Sequence, residues 1–307
     1  MLLKTLRSDV ESPSLMSMKR REFTWAPILF GQKHERSGYF GRLQMGRGII
    51  MSQMEIGAQL YTLRDCCKTL DDFAKTLKRV ADIGYRTVQV SGTCGYEADW
   101  LKEQLEATGL RCVLTHYAVD RIADDTQAVI AEHRVFGCPY IGIGFIPGGL
   151  QHPEEDYARF VQRFRPAGAA IAKAGSRLMY HNHHMEFMRA PDGKRYIEKL
   201  AEDFAPEELG FTLDTYWVQY AGGDPAQWLE ILRGRVPCVH LKDMACMDRS
   251  PKMAPVGEGN LNFDRILRMA EQAGTSYLLV EQDDCNAEDP FDCLARSYRY
   301  LTAWGLR

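Results

Sequence analysis

The stretch FVQRFRPAGAAIAKAGSRLMYHNH, residues 160–183, contains one full unit of the pattern that runs through this chain. Phe160, Phe164, Ala167 and Ile171 recur at intervals of three and four, the apolar stripe of a helix lying on a core. Pro166 interrupts that stripe and predicts a kink or a later helix start. Gly175 then supplies the left-handed residue that closes a helix. Arg177–His183 follows as a short apolar run ending in the polar His181-Asn182-His183, which reads as a strand with a chemically active tip.

The same unit recurs from Glu55 to the end of the chain. The expected strands are Ile56–Leu63, Thr87–Ser91, Arg111–Tyr117, Tyr140–Phe145, Arg177–His183, Gly210–Tyr216, Val236–Lys242 and Ser276–Glu281. Amphipathic segments such as Leu70-Phe73-Leu77-Val80 separate them, and Gly84, Gly109 and Gly274 stand where helices should end. Repeated β–α units require parallel strands. A doubly wound sheet would carry a glycine-rich phosphate turn after an early strand. Gly142-Ile143-Gly144 and Gly257-Glu258-Gly259 do not lie in that setting. Eight units over residues 55–307 instead predict a single (β/α)8 TIM barrel, a fold of typically ~250 residues.

Barrel chemistry sits at the C-terminal ends of the strands. Four successive ends here are polar: Tyr180-His181-Asn182-His183, Leu213-Asp214-Thr215-Tyr216, Val239-His240-Leu241-Lys242-Asp243 and Val280-Glu281-Gln282-Asp283. Alternation along a strand puts His181 with His183, Asp214 with Tyr216, His240 with Lys242, and Glu281 with Asp283. Leu213, Val239, Leu241 and Val280 face the other way, toward the helices. Carboxylates crowded into one mouth repel each other and are costly to desolvate, and a divalent cation relieves both costs. Two carboxylates with imidazoles suit Mn, Co, Fe or Zn.

The strand ends HNH, LDTYW, HLKD and VEQD resemble those of the xylose isomerase-like TIM barrel family of sugar phosphate isomerases and epimerases, from about Glu55 to Leu306. The resemblance implies one bound divalent metal, manganese first, held by His181, Asp214, His240 and Glu281. At His181 many ketose epimerases of the family carry Glu, and the His-x-His of strand five is similar to the inosose dehydratase-like branch. By that resemblance the expected activity is metal-dependent isomerisation or epimerisation of a keto or hydroxy sugar or cyclitol. Glu281 would be ligand and base, and His183 or Lys242 the acid partner. The alternative is a lyase of the same superfamily, an inosose dehydratase or a 3-keto-glycoside eliminase. An abasic-site endonuclease and a non-catalytic sugar-binding barrel stand further back.

His116, Gln59, Tyr61, Trp217 and Glu258 are candidate substrate contacts. Each has a plainer reading beside it: rim histidine, pocket wall, packing aromatic, or loop-shaping carboxylate. Glu186 could reach the site from its loop or cap a helix. No G-x-S-x-G elbow and no H-E-x-x-H helix is present, which sets aside a serine nucleophile and a zinc protease.

Charge and cysteine usage narrow the class further. Residues 1–54 hold nine Lys/Arg and four Asp/Glu, while the remainder holds 29 and 37, a balance of −8. An acidic body does not suit a phosphate backbone, so no nucleic-acid partner is expected. Nine cysteines without a C-x-x-C pair predict free thiols and a cytoplasmic setting. No apolar run approaches a membrane span. Residues 1–54 lack hydrophobic period and are expected to form a disordered extension. Lys19–Phe23 faintly resembles a twin-arginine signal, but the apolar run after it is short and contains Pro27. The sequence leaves a homo-oligomer open.

Overall fold

Parallel pairing closes eight strands into a barrel in this computed structural model, which describes residues 54–307. The extension expected over residues 1–53 lies outside the described residues. The barrel strands are β1 (Glu55–Gln59), β2 (Thr87–Val90), β3 (Arg111–His116), β4 (Tyr140–Ile143), β5 (Arg177–His181), β6 (Leu209–Asp214), β7 (Cys238–Leu241) and β10 (Tyr277–Val280). Each of β1 to β6 pairs with its successor, β7 pairs with β10, and β10 returns to β1. Between β7 and β10 an antiparallel hairpin projects, β8 (Asp243–Met247) with β9 (Ser250–Ala254).

Among the described residues ten α-helices surround the strands: α1 (Leu70–Ile83), α2 (Ala98–Thr108), α3 (Val119–Asp124), α4 (Thr126–Val135), α5 (Pro153–Lys173), α6 (Tyr196–Asp203), α7 (Thr215–Tyr220), α8 (Pro225–Ile231), α9 (Phe263–Ala273) and α10 (Pro290–Ala303). Their inward stripes and the outward strand residues form the main core, including Leu213, Val239, Leu241 and Val280 as expected. Phe164 of α5 and Phe211 of β6 are fully buried in it. Each such side chain stabilises the fold by about 1.5–3 kcal/mol. A smaller cluster of Val113, Leu114, Met179, Cys238 and Leu279 holds residues of the barrel strands.

Strand parity places the polar tips one layer above that smaller cluster. Met179, Cys238 and Leu279 each precede by two residues His181, His240 and Glu281, so both sets point the same way. Gly142 of β4 makes room for this arrangement. A Cβ there would lie 2.1 Å from the carbonyl oxygen of Thr115 and 3.1 Å from the His116 ring.

Some boundaries differ from the sequence reading. Strand one ends at Gln59, whose side chain accepts a hydrogen bond from Tyr61 N, and Leu60–Cys66 turns as a 3-10 helix. The polar strand-end residue thus stops the run that the apolar Leu60 and Leu63 suggested would continue. Strand six ends at Asp214 for a related reason. Asp214 caps α7 by accepting from Trp217 N, so Tyr216 belongs to a helix and not to the strand face. Helix α5 starts early, with Pro153 in its first turn, and runs through Pro166. Pro166 and Gln162, four residues before it, are both exposed, so water can satisfy the carbonyl that the proline leaves unbonded.

Candidate metal centre

Strands β5, β6, β7 and β10 deliver His181, Asp214, His240 and Glu281 to one point at the barrel mouth. One ligand atom from each lies within 4.8 Å of all the others, and all four residues are buried. His181 Nε2 stands 3.1 Å from Asp214 Oδ2. His240 Nδ1 stands 2.8 Å from Glu281 Oε2 and 3.7 Å from Asp214 Oδ2.

The ring nitrogens facing away are fixed by partners. His181 Nδ1 is 2.9 Å from the Gly144 carbonyl, and a carbonyl only accepts, so Nδ1 carries the proton and the Nε2 lone pair faces the cluster. His240 Nε2 is 2.6 Å from Gln89 Oε1, which leaves Nδ1 facing inward. His240 Nδ1 and Glu281 Oε2 are close, yet neither makes an aligned hydrogen bond. A nitrogen and a carboxylate oxygen 2.8 Å apart form a corner suited to a cation. The outward partners are the kind that orient metal-binding histidines.

Charge supports the same fit. Lys242 Nζ lies 3.0 Å from Asp214 Oδ2, 2.9 Å from Glu281 Oε2 and 3.0 Å from Asp283 Oδ2. One buried ammonium thus faces three carboxylates, and a divalent cation would balance the remainder. Burial raises the Asp214 and Glu281 carboxyls, but Lys242 and the histidines outweigh it and hold both well below the ordinary range. Burial, then the Glu281 charge, pushes Asp283 up to about 7. Burial and His240 hold His181 down, so its ring is neutral. For His240 burial acts downward, but Glu281 and Asp214 prevail and the shift is upward. A proton and a cation therefore compete for the same corner.

Above the cluster opens a hollow of about 400 Å³, lined by Tyr61, His116, Phe145, His183, Lys242 and Asp283 among others. A larger groove, about 610 Å³, lies at the opposite end of the strands around Arg111 and Tyr277, away from this chemistry. His116 Nδ1 is 3.3 Å from Ser91 Oγ, and its Nε2 is buried without a partner. His183 packs 4.7 Å from the His181 ring and 5.3 Å from Trp217, its Nδ1 also unpartnered. Burial lowers it to about 3.

The remaining candidates sit further out. Gln59 is fully buried and does not line the hollow. Trp217 backs His183, with the Lys242 ammonium 5.9 Å from its ring. Glu258 stands apart from the hollow and pairs with Arg296 at 2.9 Å.

Further residues serve the site: the sequence reading does not single out Gln89 or Phe145, places Asp283 only by its strand parity, and has Glu186 reach the site from its loop or cap a helix. Gln89 orients His240, and Asp283 holds Lys242 from the far side. Phe145, 52% exposed, forms an apolar wall. Buried Glu186 accepts from the Tyr180 hydroxyl at 2.6 Å and from His183 N at 2.8 Å, which pins the loop that carries His183. Parity on strand ten already paired Asp283 with Glu281. Gln89 gave no local signal.

Among the described residues no helix is long and apolar enough to cross a membrane, and all nine cysteines are free. An inosose dehydratase of Geobacillus thermodenitrificans is 21% identical over 75% of this chain and 88% of its own. A sugar phosphate isomerase/epimerase structure from Parabacteroides distasonis superposes with a TM-score of 0.68 at 24% identity, covering 82% of this chain and 94% of that one. A D-allulose 3-epimerase structure from Methylomonas superposes at 0.61 and 14% identity, over 82% and 98%. The sequence pattern that defines xylose isomerase-like TIM barrels matches residues 77–301, from within α1 into α10. By that match and by its closed barrel, the chain belongs to the xylose isomerase-like TIM barrel family.

Proposed function

We propose that this chain is a metal-dependent isomerase or epimerase that removes a proton beside the carbonyl of a keto sugar or cyclitol. The observation that carries this reading is the convergence of His181, Asp214, His240 and Glu281 directly beneath a hollow of ligand size. A divalent cation held by these four would polarise the substrate carbonyl and acidify the neighbouring C–H. Lys242 keeps its ammonium and steadies the charge of Asp214 and Glu281. Glu281 faces the reacting end of the substrate, and Asp283 beside it has an unpartnered Oδ1 to receive the proton. Neutral His183, across β6 and β7, hydrogen-bonds a substrate hydroxyl, and the proton taken up by Asp283 returns to the substrate from that carboxyl. Phe145 and Tyr61 cover the apolar edge of the ring.

Lyase chemistry at the same site is the second reading. The position on β5 carries His181 where many ketose epimerases carry Glu, so the carboxylate that would face Glu281 from β5 is absent, which favours elimination over a symmetric proton exchange between those two strands.

The test is incubation in D2O with a panel of keto sugars and inososes, followed by NMR and mass analysis. Deuterium at the carbon beside the carbonyl, with mass otherwise unchanged, supports isomerisation. Loss of water or of a leaving group supports the lyase. Absence of both across the panel, with one metal equivalent bound, overturns the reading.

A further inference from the structure

A second hollow, about 340 Å³, adjoins the first at the mouth and shares Ser91, His116 and Tyr117 with it. Its floor is the loop after β2, residues 91–96. The loop packs directly on the wall of the first hollow, since a Cβ on Gly92 would lie 2.7 Å from the Tyr61 ring. The first hollow already has the size of a small-ligand site, so a single ring over the metal centre leaves the second one free. His116, with its buried unpartnered Nε2, stands at the junction of the two.

Charge defines what the second hollow accepts. Arg121 and Lys242 are the Lys and Arg side chains that line either hollow. Arg121 already donates to both oxygens of Glu132, at 3.0 and 2.8 Å, and to Asp125 and the Tyr117 hydroxyl. Lys242 is taken up by three carboxylates. Neither is free for a phosphate. The second hollow instead offers the Ser91 and Thr93 hydroxyls, which contact His116 Nδ1 and the Cys94 carbonyl but keep lone pairs that accept from a sugar hydroxyl, together with loop backbone.

We propose that the second hollow is a subsite for a second sugar ring, so that the preferred substrate is an uncharged two-ring glycoside with its reacting ring over the metal centre. This rests on the keto-sugar reading of the site.

Binding tests it separately from the reaction. Full-length chain purified without chelator is titrated calorimetrically with methyl glucoside, methyl maltoside, methyl cellobioside and glucose 6-phosphate, none of which carries a reactive ketone. A two-ring probe should bind at least about tenfold more tightly than methyl glucoside and than the phosphate. Gly95 lines this hollow with open space where a Cβ would go, so Gly95→Trp fills it. That variant should bring the two-ring to one-ring ratio down to about one, while Gly95→Ala keeps it and shows that the loop tolerates a side chain. Equal affinities, no heat with either two-ring probe, tighter binding of the phosphate, or an unchanged ratio in Gly95→Trp would overturn the subsite. Deuterium exchange on single-ring ketones without a two-ring preference leaves the reaction standing and removes the subsite. Two-ring preference without exchange on any ketone does the reverse.

Discussion

The Nε2 of His181 faces the Oδ2 of Asp214 at 3.1 Å while its Nδ1 lies 2.9 Å from the Gly144 carbonyl, so a proton held on Nδ1 turns the Nε2 lone pair toward the carboxylate. Two lone pairs held this close in a buried mouth repel unless a cation lies between them. Asp214 meanwhile caps α7 with its other oxygen. The residue can therefore be altered at one end only: Asp214→Asn retains an oxygen for the cap and removes the charge at the cluster. Protein purified without chelator should carry about one equivalent of a transition metal, and the variant should lose at least about 90% of it, as expected when a ligand is deleted. Elemental analysis checks this, with circular dichroism to confirm that the barrel persists. Equal metal in both proteins, or none in the wild type after incubation with Mn, Co, Fe and Zn, would refute the centre.

Gln89 touches no substrate-lining surface, yet its Oε1 is 2.6 Å from His240 Nε2. Removing it frees the imidazole to rotate and to change tautomer. Gln89→Leu, similar in volume, should weaken metal binding by about 10–100-fold with little loss of fold. Competition with a chromophoric chelator measures it. An unchanged affinity would mean that packing alone orients His240.

The strand ends themselves were legible because alternation is local: once Val239 and Leu241 read as core, His240 and Lys242 had to face the mouth. Gln89 was not legible. Its partner is 151 residues away, and Thr87–Ser91 reads as a plain strand. The β8–β9 hairpin was also hidden. Its turn uses Asp248 and Arg249 at positive φ, without the Asn-Gly or Asp-Gly pair that would have announced it. The apolar pattern of the first strand runs on past its end at Gln59, since Leu60 and Leu63 are as buried as strand residues although they pack from a 3-10 turn.

Asp243 anchors the segment after that hairpin. Its two oxygens accept from the backbone N–H groups of Met244, Gly257, Gly259 and Leu261, at 2.7–3.2 Å. A Cβ on Gly259 would come within 2.3 Å of the carboxylate, so only glycine lets the loop close this tightly. Asp243→Ala leaves these donors without their acceptor and should cost about 2–4 kcal/mol, several of them being part-buried. Urea midpoints test it, and a loss below about 0.5 kcal/mol would show that the loop does not depend on the carboxylate. Metal content should change far less than in Asp214→Asn.

Glu186 offers a test in the pH dependence of stability. It is fully buried, and burial pushes its carboxyl up to about 7, against the hydrogen bonds from Tyr180 and His183 N that favour the charged form. The folded state thus binds this proton more tightly than the unfolded chain, where the group titrates in the ordinary glutamate range. The stabilising contribution is fully present below about pH 4 and is lost as the pH rises through 7, where ionisation costs roughly 2–3 kcal/mol. Glu186→Gln stays neutral throughout. Its carbonyl can accept from His183 N while its amide donates to the Tyr180 hydroxyl, so the loop keeps its anchor. The difference in unfolding free energy between variant and wild type should therefore move in favour of the variant between pH 5 and pH 8, by roughly 2 kcal/mol. Urea unfolding at the two pH values measures the change. A difference that does not vary with pH would show that Glu186 ionises equally well in the folded and unfolded chain, and that its hydrogen bonds offset its burial.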